Sequence, residues 1–334
     1  MKNILVGLAL LATTVASGVS AQTDFPTKEI QGIIQWGAGG STDTVMRSVT
    51  PHAAAALGGN IIMQNMTGGV GAIALSHVQR QDADGYTLLM GAENPQMYKV
   101  LGLGEDDYND MIPIRLLARG VPIFVAAPDA PYNTMTEFVA FAEANPGEVR
   151  VGSTGPGGLT SIVLAMLTSQ VELDLTRVPY DGDGPALTAL QGGAIDVMPV
   201  ALGAAIENVR AGRMKIIGLV DVEENPLAEG IPPITEEFPG FASYLPWGPF
   251  FGVFAPQGTP DDVVAKLQAA FEVGAQNPDF VALMEGRGFS ITNIAGQEAE
   301  DFLTNYRSVS SWLVFDAGFA KHSPDEFGIP RPAE

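Results

Sequence analysis

The stretch from Ile30 to Arg47, IQGIIQWGAGGSTDTVMR, sets the reading of the whole chain. A short apolar run (Ile30, Ile33, Ile34) ends in Gly37, Gly39 and Gly40. Ser41-Thr42-Asp43 follows at once, and Val45, Met46 and Val49 then fall on one side of a helical pattern. The order is strand, tight glycine turn, helix start. At such a junction the first backbone N–H groups have no partner within the helix, and the aligned peptide dipoles place partial positive charge there. A carboxylate or a phosphate is the natural occupant.

The same order recurs about half a chain later. Glu148 to Gly152 reads as a strand, Ser153-Thr154-Gly155-Pro156-Gly157-Gly158 as a glycine turn carrying hydroxyls, and a helix begins near Leu159. Between the two junctions, Asn60 to Gln64 and Tyr86 to Met90 read as strands and Ala72 to Arg80 as a helix. This β-α-β-α-β alternation predicts an α/β protein built on doubly wound sheets, parallel in this run. Pro51 removes a ladder bond from the first helix and predicts a kink or break there. Residues 101–118 carry no clear period. Further along, Pro122 to Ala127, Arg177 to Tyr180, Ala194 to Val200, Lys215 to Val220 and Phe250 to Ala255 read as strands. Thr259 is placed to cap a helix opening at Asp261, and Phe302, Tyr306, Val309 and Leu313 give the tail helical spacing.

Ligands in open α/β sheets collect at the carboxyl ends of strands, so two matching anion cradles predict a clamp. The first loop offers Trp36, Gly37, Ala38, Gly39, Gly40, Ser41, Thr42 and Asp43. Ser41 and Thr42 are suited to donate hydroxyls to a carboxylate or to bridging water. Asp43 is wrong for anion binding and instead stabilises the first helical turn or anchors water. Trp36 is either core or pocket wall. The second loop offers Ser153, Thr154, Gly155, Pro156, Gly157 and Gly158. Glu93 follows a strand at its carboxyl end, a cleft position as much as a plain strand end. Asp181 lies in the turn before another helix start, suited to a ligand ammonium or hydroxyl and equally to solvent.

The bulk numbers narrow the function. At 334 residues the chain can fill two domains. A formal charge of -21 repels nucleic acid and anionic membranes, so an anion site here must work through local dipoles and hydrogen bonds. Lys2, the apolar run Ile4 to Leu11 and Val19-Ser20-Ala21 read as a secretory signal over residues 1–21, with cleavage near Ala21. With no cysteine there is no lipid attachment and no disulfide framework, which fits a soluble protein of the periplasm. His52, His77 and His322 show no metal-ligand spacing. The run Gly37 to Thr42 has threonine where a dinucleotide fingerprint has its third glycine, and it lacks the P-loop lysine. Gly39-Gly40-Ser41-Thr42-Asp43 lacks the final glycine of a nucleophile elbow. Neither enzyme chemistry nor a cofactor is expected.

Taken together, the motifs resemble the substrate-binding receptors of tripartite tricarboxylate transporters, the Bug family, from Phe25 to Lys321. The resemblance is carried by Phe25-Pro26-Thr27-Lys28, the run Trp36 to Asp43, Asn65-Met66-Thr67-Gly68-Gly69 and Asp84-Gly85-Tyr86-Thr87-Leu88. It continues through Gly152 to Gly157, Val178-Pro179-Tyr180, Gly184-Pro185-Ala186, Gly192 to Asp196 and Phe254 to Pro260. It implies a type II periplasmic binding protein fold, two α/β lobes joined by a hinge that close like a Venus flytrap. Residues 22–120 and 250–334 would form one domain and residues 121–249 the other. It also implies capture of a small organic carboxylate by the first and second glycine loops, partly through water. Delivery would be to a membrane permease of one large and one small subunit, with the receptor acting as a monomer. Gln35, Gln64 and Ser161 stand where the family usually has proline, glutamate and histidine, departures that bear on ligand identity rather than on the fold. Two other readings remain: a cofactor- or nucleotide-binding enzyme using residues 37–42, and a receptor that feeds a sensor kinase rather than a permease.

Overall fold

The computed structural model describes residues 24–245 and 247–332, so the signal segment expected at 1–21 lies outside the described residues. The apolar run of the opening stretch becomes β1 (Ile30–Ile34), which pairs in parallel with both β2 (Ile61–Asn65) and β3 (Thr87–Ala92). The helices Ser41–Leu57 and Ala72–Gln79 carry the chain between them. Three further strands complete this sheet, β4 (Met111–Gly120), β10 (Phe250–Pro256) and β11 (Phe289–Ile294), in the order β11-β4-β10-β3-β1-β2. β10 runs antiparallel to β3 and β4, and β11 antiparallel to β4, so the sheet is mixed and parallel only in its first three strands. A second sheet holds β5 (Pro122–Ala126), β6 (Arg150–Ser153), β7 (Thr176–Pro179), β8 (Val197–Ala201) and β9 (Lys215–Leu219), in the order β7-β6-β8-β5-β9. Helices cover both sheets, so β5, β8 and β10 are buried along their whole length and read as unbroken apolar runs.

The chain thus crosses from the first sheet to the second after Gly120 and returns before Phe250. The two crossings lie side by side, with the Gly120 N–H donating to the Pro249 carbonyl at 2.9 Å. A Cβ on Gly248 would collide with the Gly120 carbonyl, so the close approach depends on glycine.

Three local expectations are corrected. The Ser41–Leu57 helix runs unbroken through Pro51. Pro51 sits on the exposed side, while the opposite face packs so closely on the Asp261–Gln276 helix that a Cβ on Gly274 would lie 3.0 Å from Val49. Packing of that face outweighs one lost ladder bond. Residues 111–120 form a ten-residue strand rather than irregular chain. Its pattern is disguised by Pro113 and by Arg115, whose guanidinium is buried against Glu272 at 3.1 Å and the Asn293 carbonyl at 2.9 Å. Thr259 does not cap the next helix: its hydroxyl turns back to the Pro256 carbonyl at 2.8 Å.

Candidate ligand-binding site

The first glycine loop leaves the carboxyl end of β1 and is pinned by Asp43. Its carboxylate accepts the Gly39 N–H at 3.0 Å, Arg47 Nε at 2.7 Å and Asn65 Nδ2 at 2.9 Å. Asn65 also donates to the Trp36 carbonyl at 2.8 Å, so the end of β2 holds the loop from beneath. Burial opposes the charge on Asp43, yet the Gly39 amide, Asn65 and Arg47 outweigh it and hold the pKa below the ordinary aspartate value. Asp43 is therefore a fixed part of the loop, as its place in the first helical turn implied.

The second lobe lies directly on this loop. Gly37 donates its N–H to the Asp181 carbonyl at 2.9 Å, and a Cβ on Gly184 would collide with the Ala38 carbonyl. Only glycine permits such backbone contact between lobes. The next helix begins at Asp183, whose carboxylate accepts the Ser41 hydroxyl at 2.9 Å and also the Ser41 N–H. The positive end of the Ser41–Leu57 helix therefore already meets an anion, and that anion belongs to the protein. Burial raises the Asp183 pKa, with the two Ser41 hydrogen bonds opposing.

Glu93 closes the far side. It follows β3 and is only 3% exposed. Burial, in part offset by its own main-chain N–H and reinforced by the charge on Asp183, pushes its pKa up to about 8. At neutral pH Glu93 keeps its proton and can donate a hydrogen bond.

Among the expected residues, Trp36, Gly40, Ser41, Thr42, Glu93 and Thr154 line one cavity of about 30 Å³ between the lobes. Asp183, Ala92, Leu159, Pro249 and Phe251 complete its wall, and sequence reasoning offered none of them as a site residue. The detectable signal for Asp183 was its place at a helix start in the second lobe. The sequence points instead to Asp181, whose side chain is exposed and which contributes only its carbonyl. Trp36 is wall and core at once, with its indole N–H donating to Asn94 Oδ1 at 3.2 Å. Ala38 and Gly39 turn outward.

The second loop spends its donors internally. The Thr154 N–H donates to Thr160 Oγ1 at 2.8 Å and the Gly155 N–H to Ser153 Oγ at 3.2 Å. A Cβ on Gly158 would collide with Thr154 Oγ1, which fixes glycine at that helix start. Asn94 Nδ2 reaches across to the Gly157 carbonyl at 2.7 Å and ties the two loops together. Asn94 in turn accepts from Gln35 Nε2 at 3.2 Å, so the unusual Gln35 is part of this cross-lobe brace. Ser153, Pro156 and Gly157 face away from the cleft cavity, toward a separate one. Among the described residues no group of three or more His, Cys, Asp or Glu is placed to hold a metal ion, and no helix is long and apolar enough to cross a membrane.

The family model described as the tripartite tricarboxylate transporter family receptor matches residues 45–315. The chain belongs to that family. It is 29% identical to a UPF0065 protein of Bordetella pertussis over 324 residues, 95% of this chain and 98% of that one. The solved structure of the periplasmic binding protein BugD superposes with a TM-score of 0.83 at 26% identity, covering 89% of this chain and all of BugD. MatC from Rhodopseudomonas palustris, solved with bound malate, gives a TM-score of 0.77 at 28% identity, covering 86% of this chain and all of MatC. The fold and family are those of a periplasmic solute-binding protein.

Proposed function

We propose that the chain is a periplasmic receptor that captures a small organic carboxylate between its lobes and delivers it, as a monomer, to the large and small permease subunits of a tripartite tricarboxylate-type transporter. The reading rests on one observation: helix starts from two different sheets, at Ser41 and at Leu159, converge with Glu93 on the same buried cavity. On this reading residues 22–120 and 250–334 move as one lobe against 121–249, about the paired crossings at Gly120 and Pro249. A cavity of about 30 Å³ has room for a water molecule or two, so a dicarboxylate enters with the lobes further apart.

The chemistry supports an acid of modest size. A ligand carboxylate would take the helix-start amides and hydroxyls of Ser41 and Thr42, where Asp183 now sits, and would receive a proton-bearing partner in Glu93. MatC, with its malate, lends the same class of ligand. The test is a thermal-shift screen of the mature chain against mono-, di- and tricarboxylates, amino acids, aromatic acids and nucleotides. A bound ligand at a hundredfold excess over its Kd adds about 2.7 kcal/mol of stability, a shift of several degrees. Stabilisation by a nucleotide and by no carboxylate would overturn the reading.

A further inference from the structure

On the other side of the second glycine loop the structure holds a larger cavity of about 290 Å³, near the lower end of the range for ligand pockets. Its walls come from both lobes. Leu101 and Leu103 form one side, Ile162 and Ala165 of the Leu159–Thr168 helix another, and Val314 and Phe319 at the end of the Gly296–Asp316 helix the third. The polar groups on its floor are already engaged: Ser161 Oγ donates to the Gly155 carbonyl at 2.7 Å, and Ser153 Oγ accepts the Gly155 N–H. The chamber is thus apolar in effect.

Two cations stand at its rim, Arg177 and Lys321. The Arg177 guanidinium lies over the Phe319 ring, 5.5 Å from its centroid, and burial there lowers its pKa. Among the described residues neither cation has a carboxylate within ion-pair distance, in a chain that carries 38 acids against 17 basic residues. Most other arginines here do find an acid: Arg47, Arg115, Arg150, Arg210, Arg307 and Arg331 are all paired. Two unneutralised cations over an apolar chamber are complementary to one kind of molecule, a hydrophobic tail with an anionic head.

We propose that this cavity is a second binding site, distinct from the cleft, which takes a medium-chain monocarboxylate with its tail in the chamber and its carboxylate on Arg177 and Lys321. Because its walls come from both lobes, an occupant would also favour the closed arrangement.

Calorimetric titration of the mature chain with octanoate tests this. Octanoate binds with one-to-one stoichiometry, affinity rises about fourfold per added methylene from butanoate to octanoate, and octanol binds more weakly than octanoate. Arg177→Gln and Lys321→Gln, both at the rim of the chamber and expected to fold, each weaken octanoate about tenfold or more. Ala165→Leu fills the chamber and abolishes binding, whereas Gly40→Val, which alters the cleft wall and does not line the chamber, still binds octanoate. Absence of octanoate binding overturns the proposal. So does equal binding of octanol, or octanoate binding that is lost in Gly40→Val but kept in Arg177→Gln and Lys321→Gln.

Discussion

The two glycine junctions share a sequence pattern and meet at one cavity, yet they settle their helix starts by different means. At Ser41 the exposed donors are answered from the opposite lobe by the Asp183 carboxylate. At Leu159 the loop answers its own amides with neighbouring hydroxyls, Thr160 for Thr154 and Ser153 for Gly155. A strand–glycine turn–helix pattern therefore specifies a helix start, not what fills it. One junction meets a carboxylate of the other lobe; the other is closed by its own hydroxyls. On the proposed function, the Ser41 side is where a ligand competes with the protein.

The largest effect expected from that asymmetry concerns pH. Folded Glu93 titrates near 8 against an ordinary value of 4.5. Below 4.5 both folded and unfolded chains hold its proton. Between 4.5 and 8 the unfolded chain releases it while the folded one does not, so this group costs stability as pH rises, at most about 1.4 kcal/mol per pH unit, and the cost levels off above 8. Glu93→Gln removes the cost: its denaturant midpoint matches the wild type at low pH and exceeds it at pH 8. Equal midpoints across the range would place Glu93 in water.

Next in size is the lobe contact. Gly184→Val sets a side chain against the Ala38 carbonyl and should keep the lobes apart, lowering affinity for the cleft ligand about tenfold to a hundredfold while the far-ultraviolet spectrum is unchanged. Unaltered affinity would mean that this contact forms no part of the bound state. Asp183→Asn sharpens the competition itself. Removing the resident charge should strengthen binding of a purely anionic acid about tenfold. Weaker binding would instead mean that Asp183 holds a cationic group of the ligand. Smallest is Gly39→Ala. Gly39 has a φ of 79° and its Cβ would meet nothing within 4 Å, so the change should cost about 1 kcal/mol of stability and leave affinity intact. The neighbouring Gly40 faces Asp183 and lines the cavity, so a bulky residue there should weaken binding.

Much of this is legible in the sequence alone. The β1 junction, the Ala72–Gln79 helix, the second glycine loop and Glu93 at a strand end all follow from period, turn chemistry and the rule for strand ends. What escaped was tertiary. The antiparallel insertion of β10 depends on where the chain returns, which no local window records. Arg115 hides a strand because its partners, Glu272 and Asn293, lie more than 150 residues away. Asp183 escaped for the same reason: an acid at a helix start reads as local dipole stabilisation, and only the fold brings it to another helix.

A crystal structure of the mature chain with an organic acid chosen by the thermal-shift screen tests the central claim most directly. The account predicts an acid oxygen within hydrogen-bond distance of Ser41 or Thr42 from one lobe and of Thr154 or Leu159 from the other, with the Ser41–Asp183 contact rearranged. An acid held by arginine or lysine outside the cleft, with Ser41 still bound to Asp183, would contradict it.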